Sequence, residues 1–348
     1  MKPTQRLANR LKDNPHVLPA SRITPGAKAV ASRHGPWHCT RLSGQGPMNG
    51  ILVVDKPSGM TSAQVVAEVK ALLKAKKVGH TGTLDPFATG VLLCCINQAT
   101  RLAQFLMYGK KVYEGVMHLG IGTDTQDHTG QVISRAAGLT VTKDQVCSVF
   151  RRFLEVKEQV PPAFSALKHR GTPLYKLARR GDFVRKPPRQ ICVYELELLD
   201  TDLPSVRFRV SCSQGTYVRT LCADIGEALG CGAHLAQLCR TESGGFTLGE
   251  AMPLSTLREQ VMAGRASDRI IPMSQALRRV PEVKASPALA ERIRHGRPVT
   301  RAALGRLGDP SSPWIKVTDG ESSLLAVLGA EERNGTHPYA CVLPKERP

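Results

Sequence analysis

Two alternating runs stand close together in the sequence: Cys192-Val193-Tyr194-Glu195-Leu196-Glu197-Leu198 and Val206-Arg207-Phe208-Arg209-Val210-Ser211-Cys212. Each repeats every second residue, the period of a strand with one buried face. Cys192, Tyr194, Leu196 and Leu198 are therefore expected on one face of the first strand, and Val206, Phe208, Val210 and Cys212 on one face of the second. A helix is expected from about Tyr217, burying Val218, Leu221, Cys222, Ile225 and Leu229 and ending at Gly230 as its C′ residue. Upstream, Val112 to Leu119 alternates so that Tyr113, Met117 and Leu119 share a face, and Ile51 to Val54 reads as another strand. Thr61 or Ser62 caps a helix expected to run to about Lys77, with Val65, Val66, Val69, Leu72 and Leu73 on one side. Thr142-Lys143-Asp144-Gln145 is a capping box opening a helix that buries Val146, Val149, Phe150 and Phe153. Strands outnumber clean strand-helix-strand alternations, so the expected class is α+β with a mixed, largely antiparallel central sheet. Past about residue 280 the elements shorten: Arg292 to Pro298, Trp314 to Val317 and Leu324 to Leu328 suit a small β-rich terminal module.

The chain has 348 residues, 41% of them hydrophobic, and its 48 Lys+Arg outweigh 29 Asp+Glu for a net charge of +19. That length calls for one large domain and a smaller partner. No stretch approaches the roughly 18 apolar residues of a membrane span, and the composition is that of a folded protein. The positive excess suits a polyanionic partner, nucleic acid or a phosphate-rich surface. Ten cysteines show no C-x-x-C pair and no histidine pair at zinc-finger spacing, so no metal site is expected. Those within runs such as VLLCCI read as small buried hydrophobes of a reducing cytoplasm. Residues 1–47 carry eight basic residues against Asp13 alone and little apolar periodicity. They read as a disordered arm, either a basic extension that touches RNA or targets an organelle, or sequence upstream of a start at Met48.

Two segments could carry chemistry. Gly79-His80-Thr81-Gly82-Thr83-Leu84-Asp85-Pro86-Phe87-Ala88-Thr89-Gly90 sets three glycines around one carboxylate, as a loop does where backbone approaches a ligand closely, although Asp85 would equally suit an Asx-turn before Pro86. It lacks the spacing of a phosphate-binding P-loop. Cys212-Ser213-Gln214-Gly215-Thr216-Tyr217-Val218-Arg219-Thr220-Leu221 runs from strand to helix and puts Arg219 on the first turn, where the helix dipole disfavours a cation. Such an arginine calls for a partner elsewhere, and the lone Asp85 would serve.

Together these segments resemble the TruB family of pseudouridine synthases. The resemblance also covers Asp55-Lys56-Pro57-Ser58-Gly59-Met60-Thr61-Ser62, Lys111-Val112-Tyr113, Thr123-Asp124-Thr125-Gln126-Asp127, Val160-Pro161-Pro162-Ala163-Phe164-Ser165-Ala166-Leu167-Lys168 and Leu174-Tyr175-Lys176-Leu177-Ala178-Arg179-Arg180-Gly181, in unbroken order over residues 48 to 250. It implies a pseudouridine synthase catalytic domain over 48–280, with an RNA-binding insertion at about 160–190, and a PUA-like module over 281–348. It further implies isomerisation of uridine 55 in the tRNA T-loop: the uridine is flipped out, its C1′–N1 bond is broken, and C1′ is rejoined to C5, with no cofactor or metal. By matching position, Asp85 is the catalytic carboxylate, acting either as nucleophile at C1′ or as base at C2′. Arg219 is its salt-bridge partner, and Tyr113 the active-site tyrosine expected to stack on the flipped base. Tyr217 and Leu238 line the base pocket, and His80 holds the loop open around it. Lys56 and Pro57 are expected to shape the sheet.

This chain departs from the family pattern at Cys239, where paired arginines are usual, and at Phe87, where leucine is commoner. The expected RNA-binding residues are in the basic insertion: from Lys168 to Arg189 eight cations, including Arg179 and Arg180, face Asp182 alone. That insertion favours a stand-alone tRNA enzyme, with no obligate protein partner, over an RNA-guided relative; a monomer is expected because nothing in the sequence demands a dimer. A non-catalytic tRNA-binding or folding protein is the other alternative.

Overall fold

The computed structural model describes residues 48–305 and 312–344, so the expected basic arm over residues 1–47 lies outside the described residues. The strands are β1 (Gly50–Lys56), β2 (Val78–His80), β3 (Thr89–Ile96), β4 (Lys111–Leu119), β5 (Ile121–Thr123), β6 (Val132–Arg135), β7 (Glu158–Gln159), β8 (Lys168–His169), β9 (Thr172–Pro173), β10 (Arg189–Gln190), β11 (Val193–Asp202), β12 (Ser205–Cys212), β13 (Ala233–Ser243), β14 (Phe246–Thr247) and β15 (Met252–Pro253). A terminal group follows: β16 (Glu282–Lys284), β17 (Trp314–Thr318), β18 (Leu324–Gly329) and β19 (Tyr339–Val342). The principal helices are α1 (Ser62–Leu72), α2 (Ala103–Met107), α3 (Lys143–Phe153), α4 (Leu174–Ala178), α5 (Val218–Ala228) and α6 (Leu254–Met262).

The central sheet runs β11-β12-β4-β13-β3-β1-β15, with β14 on β13 and β2 on β3. Its β11/β12, β12/β4, β4/β13 and β3/β1 pairs are antiparallel, while β13/β3 and β1/β15 are parallel, so the sheet is mixed and largely antiparallel, as expected. Tyr113, Met117 and Leu119 of β4 and Val206, Phe208, Val210 and Cys212 of β12 face one buried cluster, which α3 and α5 close with Val146, Phe150, Leu221 and Ile225. A second cluster packs α1 and α6 against β1 and β3. The terminal strands form their own sheet, β16-β17-β18-β19, with a separate core.

Both capping boxes form, Thr61 with Gln64 and Thr142 with Gln145. Two expectations need correction. Helix α1 stops at Leu72, with Leu73 as cap and Lys74 at φ 48°, short of Lys77, because the chain must turn back into β2. In β11 the alternation breaks: the pairing register shifts between Val193 and Glu195, so Val193, Leu196 and Leu198 meet the core while Tyr194 is 53% exposed and Cys192 is exposed. One inserted residue turns the neighbouring side chain to the opposite face.

Candidate active site

The GHTGTLDPFATG segment spans β2, an extended loop and the start of β3, and its backbone is held from four sides. Lys56, at the end of β1 and fully buried, donates from Nζ to the carbonyls of Pro57 at 2.8 Å, Pro86 at 3.0 Å and Ala88 at 2.6 Å. Burial lowers its pKa to about 8, against the opposing attraction of Asp85. Lys56 therefore does more than shape the sheet. Ser62 Oγ accepts from the Leu84 amide at 2.9 Å, which ties the first turn of α1 to the residue before Asp85. Ser58 Oγ donates to the Phe87 carbonyl at 3.0 Å. From β13, Arg240 donates to the carbonyls of Val91 at 2.7 Å and Gly82 at 3.1 Å.

Fixed in this way, Asp85 meets Arg219 in a two-point fork: Nε to Oδ2 at 3.0 Å and Nη2 to Oδ1 at 3.1 Å. The Asp85 side chain keeps 31% exposure while Arg219 has 5%, so the carboxylate faces outward from a buried cation. The misplaced cation on the first turn of α5 is thus partnered as expected. Two further donors of Arg219 are used on backbone carbonyls, Nη1 on Thr125 at 2.8 Å and Nη2 on Phe164 at 2.8 Å. A second carboxylate, Asp127, lies 3.7 Å from Nε. Asp127 is itself buried and held by Thr125 Oγ1 at 2.8 Å and the Thr129 amide at 2.9 Å. A planar five-donor guanidinium suits this crossing of four segments, and a lysine would not reproduce it.

Tyr113 sits in β4 directly opposite Arg240 of β13 and is buried. Burial raises its pKa. Leu84, Tyr113 and Leu238 belong to one buried cluster, which makes an apolar wall beside the Asp85 loop. Tyr217 precedes α5 half-buried. Its backbone is bracketed by Gln159, which accepts from the Tyr217 amide at 2.8 Å and donates to its carbonyl at 3.1 Å, and burial raises the pKa of its hydroxyl. His80 ends β2, where Nδ1 accepts from the Gly82 amide at 3.3 Å; burial, then Arg240, lowers its pKa.

The structure thus gathers Asp85, Arg219, Tyr113, Tyr217, Leu238 and His80 around one loop. Lys168, Arg179 and Arg180 instead lie exposed on the insertion, which β7 and β10 pin at its base. Cys239 is buried where β13 passes between β3 and β4, an interior position and not an outward-facing one. Phe87 is half-buried, its ring edge-on to His128 at 4.9 Å. No site role was expected from the sequence for Asp127 or Gln159. A second acid in the Thr123–Asp127 run was the one available signal.

Residues 70–218 match the profile for the TruB family pseudouridylate synthase N-terminal domain, and residues 219–280 the profile for the tRNA pseudouridylate synthase B C-terminal domain. The chain is 47% identical to tRNA pseudouridine synthase B of Geobacter sulfurreducens over 73% of its length and 84% of the relative's. It is 44% identical to the protein of that name from Geobacillus thermodenitrificans over 83% of its length and 97% of the relative's. Among solved structures it resembles a chain of a Cbf5-Nop10-Gar1 complex, with a TM-score of 0.68 at 28% identity over 86% of each chain. Matching profiles joined end to end across the site just described, and relatives this similar over most of the chain, place the protein in the TruB family of pseudouridylate synthases.

Proposed function

We propose that the protein isomerises uridine 55 of the tRNA T-loop to pseudouridine. The observation that carries this reading is the outward-facing Asp85 carboxylate, forked by a buried Arg219 at the floor of an apolar wall. A ribose brought to that carboxylate meets an oxygen already oriented, so little reorganisation is needed when charge develops. The fork uses one acceptor direction on each oxygen and leaves others for the substrate, as attack at C1′ or removal of the C2′ proton would require. The C1′–N1 bond breaks, the freed uracil turns within the pocket, C5 bonds to C1′, the C5 proton passes to water, and N1 takes up a proton, so the product is an isomer of the substrate. Tyr113, Tyr217 and Leu238 hold the flipped base against the apolar wall, Tyr113 by stacking on it, and His80 keeps the loop open beside it. Opening the tRNA costs a few kcal/mol, which pocket and backbone contacts offset.

The insertion, through Lys168, Arg179 and Arg180, tracks the phosphates of the T-arm, and the β16–β19 module adds a PUA-like RNA contact. The domain plan is a catalytic domain over 48–280 and the module over 281–348. The enzyme acts as a monomer in the cytoplasm without an obligate protein partner. Higher identity to the tRNA pseudouridine synthase B relatives than to the Cbf5 chain, together with the basic insertion, supports this over an RNA-guided activity. The test is tritium release from C5-labelled uridine in an unmodified tRNA transcript, with wild type against Asp85→Asn. Release by the wild type alone, mapped to the T-loop, supports the reading, and tRNA bound without release by either protein overturns it.

A further inference from the structure

The segment between β7 and β10 touches the site through one strand of backbone. Phe164 accepts from Arg219 Nη2 through its carbonyl, and the carbonyl of the next residue, Ser165, accepts from the Tyr175 amide at 3.0 Å. On the other side of Phe164, its ring is met edge-on by Phe183, with centroids 6.3 Å apart and planes at 70°. Phe183 is 66% exposed, although it follows α4 within a stretch holding eight cations and one acid. A single exposed apolar residue is ordinary on a protein surface. This one is backed by the ring of a residue whose carbonyl holds the active-site arginine, and exposed Arg179, Arg180 and Arg185 flank it in sequence. Cations so arranged attract phosphates wherever they lie and carry no information about the bases. An aromatic face set among them supplies what they lack, a surface on which an unpaired base stacks.

We propose that Phe183, supported by Phe164, is a stacking platform for an unpaired base of the substrate RNA other than the uridine that reacts. The proposal rests on the tRNA reading above and deepens it. Because Phe164 shares its backbone with the Arg219 contact, a base seated on Phe183 is held at a fixed offset from Asp85, so the platform sets which nucleotide reaches the carboxylate. Phe183 is a positioning residue.

The experiment uses the full chain and an unmodified tRNA transcript, with Phe183→Ala, Phe183→Leu and Phe183→Trp compared by tritium release and by the salt dependence of KM. Phe183→Ala and Phe183→Leu are expected to raise KM about tenfold, equivalent to about 1.4 kcal/mol, with kcat within about twofold, and Phe183→Trp to restore it. The slope of log KM against log salt should not change, because no phosphate contact is removed. A leucine as good as phenylalanine, or an alanine variant with wild-type KM, overturns the platform and would leave Phe183 as a contact for a protein partner. Failure of the wild type to release tritium would instead count against the tRNA reading, so the two failures are distinguishable.

Discussion

Gly90 and Arg240 are joined as a parallel pair at the point where β3 enters the sheet, and nothing larger than glycine fits between them. A Cβ at Gly90 would run into the Arg240 carbonyl oxygen and lie 2.8 Å from its amide nitrogen, and φ at Gly90 is +102°. The same Arg240 holds the Gly82 and Val91 carbonyls on either side of the Asp85 loop. The close approach of the two backbones is therefore what lets one arginine serve both ends of the loop. Gly90→Ala must push β3 off β13, and the strain and the lost contacts are expected to cost about 3 kcal/mol or more. Urea unfolding midpoints measure this, and a loss under about 1 kcal/mol would mean that the strands separate freely here.

Arg219→Lys keeps the charge and removes the fork. A lysine ammonium cannot reach both Asp85 oxygens and the Thr125 and Phe164 carbonyls together. The expected result is a fall in kcat of about a hundredfold or more with KM within a few-fold, because the substitution leaves the insertion's cations untouched. Steady-state tritium release separates the two parameters. Near-wild-type kcat would show that orientation of Asp85 does not depend on the fork.

How far the sequence disclosed this arrangement depends on which atoms do the holding. The Asp85–Arg219 pair was legible because both partners are side chains and each is oddly placed alone: one acid among glycines, one cation at a helix N-terminus. The other acceptors of Arg219, and all three of Lys56, are backbone carbonyls, which every residue carries and no composition reveals. Regular alternation fixed β4 and β12 correctly, whereas Tyr194 was misplaced because a bulge between Val193 and Glu195 leaves no mark in a pattern of apolar residues. The early end of α1 is likewise imposed by the sheet that β2 must reach, against residues 73–77 that would otherwise continue a helix.

Phe87 offers a test of packing near the site. Its ring is half-buried against His128 and the main core, and the commoner leucine fills less volume there. Phe87→Leu is expected to cost less than about 1.5 kcal/mol, since the loop backbone is held by Lys56 and Ser58 independently of the side chain. Thermal or urea melts check this, with kcat expected within about threefold. A loss of several kcal/mol would make the aromatic contact with His128 a main support of the loop.

Lys56 gives the stability of the loop a pH dependence whose sign follows from its burial. The folded pKa is about 8 and the ordinary value 10.5, so between these values the unfolded chain keeps a proton that the native chain has released. Stability from this group therefore rises with pH across that window, by up to about 1.36 kcal/mol per pH unit, and is flat below pH 8, where both states are protonated. Lys56→Met removes this slope and leaves the buried Ala88 carbonyl without its donor, an expected loss of about 1–3 kcal/mol at pH 7. The gap between wild type and variant should then widen as the pH is raised from 8 toward 10.5, read from urea unfolding at each pH. A gap that stays constant would mean that Lys56 holds its proton in the folded protein through the whole window, its three carbonyl contacts outweighing the burial.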